Sequence, residues 1–434
     1  MAGHRRQPGT ATFGRDPSEQ TFRPFPSPIR RRLGIVCAGG GVTGAIYEIG
    51  ALAALEDRLE NVSINDFDVY VGVSAGAYIA ALLANGVTPG VLFRNVTRSA
   101  GTRTDIDDLN LFGLNLGEIA TRLATAPFTV LDAAWDYYKN RRETTLTDLV
   151  QSLGQLLPSG VFHNEGLEAW MQKWLTQGGR TNDFRRLGKT LRLVAVDLDS
   201  GEATRFGAPG FDDVPISKAV AASCAIPGLY RPVRIGGTDY IDGGVRKTAH
   251  ISLALRERCG LAICINPLVP VRLTHLTSAV KRLGADEAGP LRSRGLPTIL
   301  DQVFRVTLHS RLRYGLTRYR REAPDADVLV FEPKPEDLPR FMTNIMRTSG
   351  RVRIAEYAYR STMAVLDSDF RRFQRVFKKH GLILRPACAR DLARVKLHAD
   401  RTSGCTATRL SASLAALEAD LERWTPRARA RTSS

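Results

Sequence analysis

One stretch, residues 68–84, constrains the fold of this chain more than any other. A short run of β-branched and aromatic residues, Val69–Val73, leads into Ser74, and good helix formers follow it. Gly72 and Gly76 place this serine in a G-x-S-x-G pattern, the signature of a nucleophile elbow. The pentapeptide alone also fits a small-residue turn in an ordinary βα unit. Because a predicted strand precedes it and a predicted helix follows it, the context favours a nucleophilic serine at the carboxyl end of a strand.

A glycine-rich turn comes just before that stretch. The continuous apolar run Leu33–Ala38 predicts a buried strand, and a helix is predicted from about Ala45 to Leu59. The turn between them contains four glycines: Gly39, Gly40, Gly41 and Gly44. Its backbone amides could hold a pyrophosphate at the helix N-terminus, or the oxyanion of a tetrahedral acyl intermediate. A right-handed βαβ unit would place this turn beside the serine, which favours the oxyanion.

The serine needs a base, and the sequence offers a carboxylate. Asp242 ends the second strand of a predicted hairpin, and Gly243 and Gly244 after it allow a tight turn that would present the carboxylate at the sheet edge. None of the seven histidines lies in a comparable setting. A carboxylate whose pKa is raised by desolvation could accept the serine proton directly. On the residues alone, a plain turn fits equally well.

Between the elbow and the next predicted strand, the sequence alternates between helical stretches and polar loops. Residues 87–190 are predicted to form an inserted helical cap, with helices near 116–123, 131–138 and 167–175. Several apolar and aromatic residues there are expected either to line an acyl-chain channel or to pack in the core: Phe112, Leu114, Phe128, Val130, Trp135, Tyr137 and Tyr138.

The two ends of the chain are basic. Residues 1–32 are polar and proline-rich, which predicts a disordered basic arm. The catalytic part would then cover residues 33–335, and residues 336–434 would form a helical basic C-terminal region. Amphipathic helices are predicted at 297–321, 341–366, 370–377 and 410–424.

The formal net charge of +17 favours polyanionic partners, either a nucleic-acid backbone or an anionic membrane surface. An arginine-rich proteome would give the same charge without any such partner. No helix-turn-helix, zinc or aromatic-basic RNA signature is present, so nucleic acid is not favoured. The sequence indicates no particular protein partner.

The remaining composition indicates a cytoplasmic protein that is peripheral to a membrane at most. The six cysteines are scattered without C-x-x-C spacing, which suits a reducing compartment. No stretch reaches the length of a transmembrane helix, and no apolar segment of a signal peptide follows the N-terminal arginines. No metal-ligand cluster or cofactor motif beyond the glycine turn is present, so neither a metal nor a cofactor is expected.

Taken together, these motifs resemble the patatin-like phospholipase family. The glycine turn, the serine elbow and the Asp242-Gly243-Gly244 turn occur in the order and rough spacing of that family, and the block Ala222–Gly228 also matches. The resemblance covers about Leu33 to Pro267. A last strand, Val328–Phe331, is expected in the same sheet.

The resemblance implies an α/β protein with a three-layer α/β/α fold and a mostly parallel central sheet. It also implies a serine hydrolase of lipid acyl esters that uses a Ser74–Asp242 dyad without histidine and passes through an acyl-enzyme. The oxyanion hole would be formed by the amides of Gly39, Gly40 and Gly41. Family members often carry arginine where this chain has Thr43. The alternative is therefore a catalytically weak lipid-binding or scaffold protein of the same fold.

Overall fold

A computed structural model describes residues 25–97, 113–139, 156–272, 291–335 and 350–386 of the chain. The strands in these ranges are β1 (Ile29–Cys37), β2 (Val69–Val73), β3 (Gly113–Leu114), β4 (Gly160–His163), β5 (Thr190–Asp197), β6 (Ala203–Phe206), β7 (Gly228–Tyr230), β8 (Val233–Ile235), β9 (Thr238–Asp242), β10 (Cys259–Ile265) and β11 (Asp327–Phe331). The helices are α1 (Gly41–Arg58), α2 (Ala75–Ala84), α3 (Pro89–Thr97), α4 (Leu116–Lys139), α5 (Glu165–Leu175), α6 (Ile216–Ser223), α7 (Ile251–Arg256), α8 (Leu296–Glu322), α9 (Arg351–Ser368) and α10 (Phe370–Lys379).

The main sheet has the strand order β11-β10-β1-β2-β5-β9-β8, and β6 pairs with β5 outside this path. Neighbours from β11 to β5 run parallel, whereas β6, β8 and β9 are antiparallel to the strands they pair with. The prediction of a mostly parallel central sheet is confirmed, and the expected last strand belongs to it as β11. A small sheet, β3-β4-β7, lies apart from the main one.

Alternate side chains of the parallel strands enter two separate cores. Ile35 and Tyr70 point to the face covered by α1, α2, α9 and α10, whereas Val36 and Val71 point to the face covered by α7 and α8. Burial of both faces explains the continuous apolar runs of these strands. The three-layer α/β/α fold is confirmed.

The helices that follow β11 pack directly on the first layer. A Cβ atom on Gly50 of α1 would lie 2.3 Å from the carbonyl oxygen of Ala355 in α9, so the two helices approach closely only because this position is glycine. Arg58 at the end of α1 is buried and donates hydrogen bonds of 2.7 Å to Asp367 and 2.8 Å to the Arg385 carbonyl. The predicted boundary at residue 336 stays a prediction.

Some predicted bounds differ from the observed ones. β1 begins at Ile29, inside the predicted disordered arm, where Arg32 is held by hydrogen bonds to the Glu257 carbonyl and to Thr190. The predicted helices at 116–123 and 131–138 are one continuous helix, α4, which contains Pro127. Residues 1–24, 341–349 and 410–424 lie outside the described residues.

Four of the predicted channel or core residues of the cap are exposed and do not pack in the core: Leu114, Phe128, Val130 and Trp135. The first turn of α4 is held by Glu118, which accepts hydrogen bonds from Asn115 and Ser159. Whether these residues line an acyl-chain channel stays a prediction. Phe112 lies outside the described residues, as do the side chains of Tyr137 and Tyr138.

In the described ranges, none of the helices is both long enough and apolar enough to span a bilayer. The same ranges hold no group of histidine, cysteine and acidic side chains arranged to bind a metal ion. The cysteines described there, Cys37, Cys224, Cys259 and Cys264, are free thiols.

Candidate active site

Ser74 sits at a strained turn between β2 and α2. Its backbone has φ 55° and ψ −131°, a conformation that residues other than glycine rarely adopt. A Cβ atom on Gly72 would lie 2.5 Å from the Cα of Ala77, and one on Gly76 would lie 2.3 Å from the Cys37 carbonyl oxygen. Both glycines are therefore required for strand and helix to approach, as the elbow pattern predicts.

Asp242 lies beside this serine. It is the last residue of β9 and pairs with Ala195 of β5, which places its carboxylate at the edge of the sheet where β2 ends. Both residues are only 4% exposed, and the Ser74 side chain is near enough to the carboxylate to lower its pKa. Burial is the larger effect and raises the pKa of Asp242 to about 6, although Ser74 and the hydrogen bond from the Gly244 amide oppose that rise. A carboxyl group with this pKa suits general base catalysis near neutral pH.

The turn after Asp242 fixes the direction of its carboxylate. The Gly244 amide donates a 2.7 Å hydrogen bond to Oδ1 of Asp242. A Cβ atom on Gly243 would lie 2.3 Å from the Val194 carbonyl oxygen, so the turn presses against β5 at a position that only glycine allows. With Oδ1 held by Gly244, the carboxylate keeps one fixed orientation toward the elbow.

The glycine turn between β1 and α1 also reaches the site. A Cβ atom on Gly39 would lie 3.1 Å from the Cβ of Ser74, so the two turns are in direct contact. Pro267, two residues after β10, packs on the other side of the turn. A Cβ atom would lie 2.6 Å from the Pro267 ring at Gly40 and 3.1 Å from it at Gly44. Larger residues at these positions would displace the turn from the serine.

The amides of this turn are not equivalent. The Gly39 amide donates a 3.1 Å hydrogen bond to the Thr248 carbonyl, so in this structure it is already engaged. The Gly44 amide donates to the Gly40 carbonyl as the first hydrogen bond of α1. Among the described residues the amides of Gly40 and Gly41 have no acceptor, as expected at a helix N-terminus. These two amides are therefore available to an incoming anion.

Residues 223–225 hold both parts of the site together, a role that the sequence analysis did not assign to them. The Ser74 amide donates a 2.9 Å hydrogen bond to Oγ of Ser223, and the thiol of Cys224 lies 3.0 Å from the Ser74 carbonyl oxygen. The Asp242 amide donates a 2.9 Å hydrogen bond to the Ala225 carbonyl. The sequence contained these residues only as part of a block that matches the family. Nothing local indicated that they contact a turn 149 residues away.

His250 is the histidine that packs against the aspartate turn. Its ring is buried, and the Gly243 carbonyl nearby favours the protonated form of the ring. Burial, followed by the nearby charge of Lys247, lowers the pKa of His250 to about 3. The imidazole is therefore neutral across the physiological range.

Thr43, in the first turn of α1, is fully buried. Its hydroxyl has no hydrogen-bond partner among the described residues. The side chain thus occupies the position of the family's frequent arginine without adding any charge.

The three-layer α/β/α fold, the strained serine elbow and the buried Ser74 and Asp242 are together typical of α/β proteins of the serine hydrolase type. Residues 35–255, just over half of the chain, match the family described as patatin-like phospholipase, and the chain belongs to that family.

Two relatives among the curated proteins cover a comparable region. YqhO of Bacillus subtilis (strain 168) is 27% identical over 235 residues, which cover 51% of this chain and 67% of that protein. The protein named probable lipid hydrolase 463L, of Invertebrate iridescent virus 6, is 23% identical over 228 residues, which cover 51% of this chain and 63% of that protein. The chain thus spans about two thirds of the length of these relatives.

Solved structures also resemble this chain. VipD from Legionella pneumophila has a TM-score of 0.35 and 17% identity, covering 79% of this chain and 68% of VipD. Human GIVD cytosolic phospholipase A2 has a TM-score of 0.31 and 12% identity, covering 81% and 59% respectively. Scores this low do not by themselves establish a shared fold, which rests here on the sheet order and the family match.

Proposed function

We propose that this protein hydrolyses lipid acyl esters with Ser74 as nucleophile and Asp242 as general base. The observation that carries the proposal is the position of Ser74 on a strained elbow beside Asp242, a buried carboxylate whose pKa is raised to about 6. Such a carboxylate is ionised at pH 7 but still basic enough to take a proton from a serine in the transition state.

In the first half-reaction, Ser74 Oγ attacks the ester carbonyl carbon while its proton passes to Asp242. The negative charge that develops on the carbonyl oxygen is stabilised by the amides of Gly40 and Gly41 at the N-terminus of α1. The N-terminus of α2, which begins directly after Ser74, adds a further partial positive charge. The intermediate then expels the alcohol, which leaves with the proton held by Asp242, and the acyl group stays on Ser74.

In the second half-reaction, water attacks the acyl-enzyme and gives its proton to Asp242. The tetrahedral intermediate collapses, the fatty acid leaves, and the proton returns from Asp242 to Ser74 Oγ. Gly39 contributes through packing against Ser74 in this scheme, because its amide already donates to Thr248.

The proposed substrates are phospholipids or lysophospholipids, in a phospholipase A or lysophospholipase type of reaction. The family's description and the name of the viral relative support a lipid substrate. The proposal includes a cytoplasmic protein bound peripherally to anionic lipid, which the net charge of +17 supports.

Labelling by a fluorophosphonate probe, together with fatty acid release from phospholipid vesicles, tests the proposal. The wild-type protein should label and release fatty acid, Ser74→Ala should do neither, and Asp242→Asn should lose turnover. A wild-type protein that neither labels nor hydrolyses would be the catalytically weak lipid-binding or scaffold protein instead. Measurable affinity for a dinucleotide that is lost on crowding the turn with Gly41→Ala would instead favour nucleotide binding there.

A further inference from the structure

An apolar ridge runs along the first half of α8. Five of the large apolar side chains on this half, each between 39% and 66% exposed, form the ridge. They are Leu296, Ile299, Leu300, Val303 and Phe304. Their spacing of three and four residues places them on one side of the helix. A soluble surface rarely carries so many large apolar groups together without a partner.

The ridge lies beyond the edge of the sheet that carries Ser74. The second half of α8 is packed on the sheet through Leu312 and Tyr319. A helix of 27 residues is about 40 Å long, whereas the five residues of β11 that follow it span about 17 Å. Since β11 starts at the amino edge just after the helix ends, the first half of α8 must extend past the carboxyl edge of the sheet.

Two polar contacts hold that half in place. Gln302 accepts a hydrogen bond from the Val271 amide and donates one to the Val271 carbonyl, at 3.0 and 2.9 Å. Arg305 is fully buried, pairs with Asp301 at 2.8 Å and donates to the Val269 carbonyl. Both backbone partners belong to the segment that leaves the carboxyl end of β10. The ridge is therefore a fixed part of the fold on the side of the candidate site.

The part of α8 that follows the ridge is positively charged. The helix has six arginines, at positions 305, 311, 313, 318, 320 and 321, of which Arg305 is buried and the other five lie beyond the ridge; its two acidic residues, Asp301 and Glu322, are paired with Arg305 and Arg318. Arg311 is exposed and donates to the Arg246 carbonyl, in the segment just after the Asp242 turn. The neighbouring Lys247 is exposed as well. This combination of an apolar stripe and adjacent cations matches the chemistry of a surface that enters an anionic lipid interface.

We propose that the ridge is the surface through which this protein docks onto an anionic lipid bilayer, with Leu300 and Phe304 among the acyl chains and the arginines at the level of the phosphates. The inference rests on the proposed function, since it brings the edge that carries Ser74 to the lipid that presents the substrate. A bilayer fits better than a protein partner, because the apolar stripe is complementary to acyl chains, and the exposed cations that follow it at Arg311 and Lys247 are complementary to anionic head groups.

The experiment uses the full chain with the double variant Leu300→Ser/Phe304→Ser. Binding is measured by co-sedimentation with phosphatidylcholine vesicles, with and without phosphatidylglycerol, in a Ser74→Ala background so that no lipid is consumed. The matched control is Phe211→Ser/Ile383→Ser, which removes two side chains that are 41% and 52% exposed near the opposite edge of the sheet. Binding of the ridge variant to the mixed vesicles should fall by about tenfold or more, because two large apolar side chains no longer leave water. The control should bind like the parent protein.

Three further measurements separate the outcomes. Thermal unfolding of the ridge variant should match that of the control, and hydrolysis of a soluble nitrophenyl ester by the Ser74 protein should be unchanged by the ridge substitutions. Equal vesicle binding by ridge variant and parent would overturn the proposal. Conversion of a dimer to a monomer by the ridge substitutions, seen by light scattering with vesicle binding unchanged, would show instead that a second copy covers the ridge. Vesicle binding is measured in the Ser74→Ala background and does not depend on hydrolysis. The docking proposal can therefore be tested even if the proposed hydrolase activity is absent.

Discussion

The backbone amide of Ser74 donates a 2.9 Å hydrogen bond to the hydroxyl of Ser223, which itself donates to the Val194 carbonyl at 2.6 Å. The strained turn of the proposed nucleophile is thus tied to β5 through a fully buried side chain. Since β5 also pairs with the strand that ends at Asp242, Ser223 sets the position of Ser74 relative to its proposed base. In the proposed reaction Ser223 is a positioning residue.

Substitution of Ser223 by alanine should lower kcat with little effect on KM. The change leaves the Ser74 amide and the Val194 carbonyl unpaired and lets the strained turn relax. Because each buried unpaired group costs about 1–3 kcal/mol, we expect unfolding stability to fall by about 2 kcal/mol and kcat by about tenfold or more. The matched control is Ser217→Ala on the same helix, whose buried hydroxyl bonds to Asn182 instead. An equal loss of kcat in both variants would contradict the positioning role.

The pH dependence of activity should report the ionisation of Asp242. The base must be deprotonated to accept the serine proton, and burial raises its pKa to about 6. We therefore expect kcat/KM for a soluble ester to rise with pH and to level off above an inflection near pH 6. The measurement is an initial-rate profile between about pH 4 and pH 8.

The control for that profile is His250→Gln, which keeps an uncharged polar side chain beside the Gly243 carbonyl. The pKa of His250 is lowered to about 3, so its titration cannot produce an inflection near 6. The inflection should remain in His250→Gln, whereas Asp242→Asn should be inactive throughout. Disappearance of the inflection in His250→Gln would identify the histidine as the titrating group.

The same carboxyl group should make the folded protein less stable at high pH. The pKa of Asp242 is raised from 3.8 to about 6, so the native state holds this proton more tightly than the unfolded chain. The contribution of Asp242 to the free energy of unfolding is fully present below about pH 4 and is lost as the pH rises through about 6. A shift of this size corresponds to about 3 kcal/mol.

Asp242→Asn removes this dependence while keeping the shape of the side chain and the acceptor for the Gly244 amide. Above pH 6 this variant should therefore unfold at higher denaturant concentration than the wild-type protein. Asp239→Asn is the control, because that residue lies on the same strand in an exposed ion pair with Arg234. An Asp242→Asn protein less stable than wild type at pH 8 would contradict the assigned pKa shift.

Local patterns in the sequence were sufficient to predict the strands, helices and turns that position the site. The glycines at 72 and 76 predicted the close approach of β2 and α2, and the bounds of α6 and of the hairpin β8–β9 agree with the apolar and turn patterns. These features depend on residues that are neighbours in the chain, so a single sequence contains the information. The Ser74–Asp242 pairing came from the order of the motifs, because their sites lie on different strands.

Contacts between distant segments could not be predicted in this way. Whether the Gly39 amide is free depends on where the carbonyl of Thr248 lies, and the role of Ser223 depends on the packing of α6 against β5. The sequence analysis predicted two helices, near 116–123 and 131–138, where the structure has one, α4, which continues through Pro127 to Lys139. Secondary-structure propensity reflects only the neighbours of a residue in the chain. The hydrogen bond of the Gly39 amide, the role of Ser223 and the continuity of α4 depend instead on the tertiary environment.

Thr43 should tolerate replacement by valine with a gain in stability. Its side chain is fully buried and its hydroxyl has no partner among the described residues, so the native state carries the cost of an unpaired polar group. Valine has the same shape and removes that group, and we expect the free energy of unfolding to rise by about 1 kcal/mol. Thr97→Val is the control, because the buried Thr97 hydroxyl donates a 2.8 Å hydrogen bond to the Phe93 carbonyl. Loss of that hydroxyl should not raise the free energy of unfolding. Hydrolysis of a soluble ester by Thr43→Val should match wild type, because the proposed oxyanion donors are the amides of Gly40 and Gly41. A fall in kcat together with the gain in stability would instead show that the Thr43 hydroxyl is kept unpaired in order to bind the reacting ester.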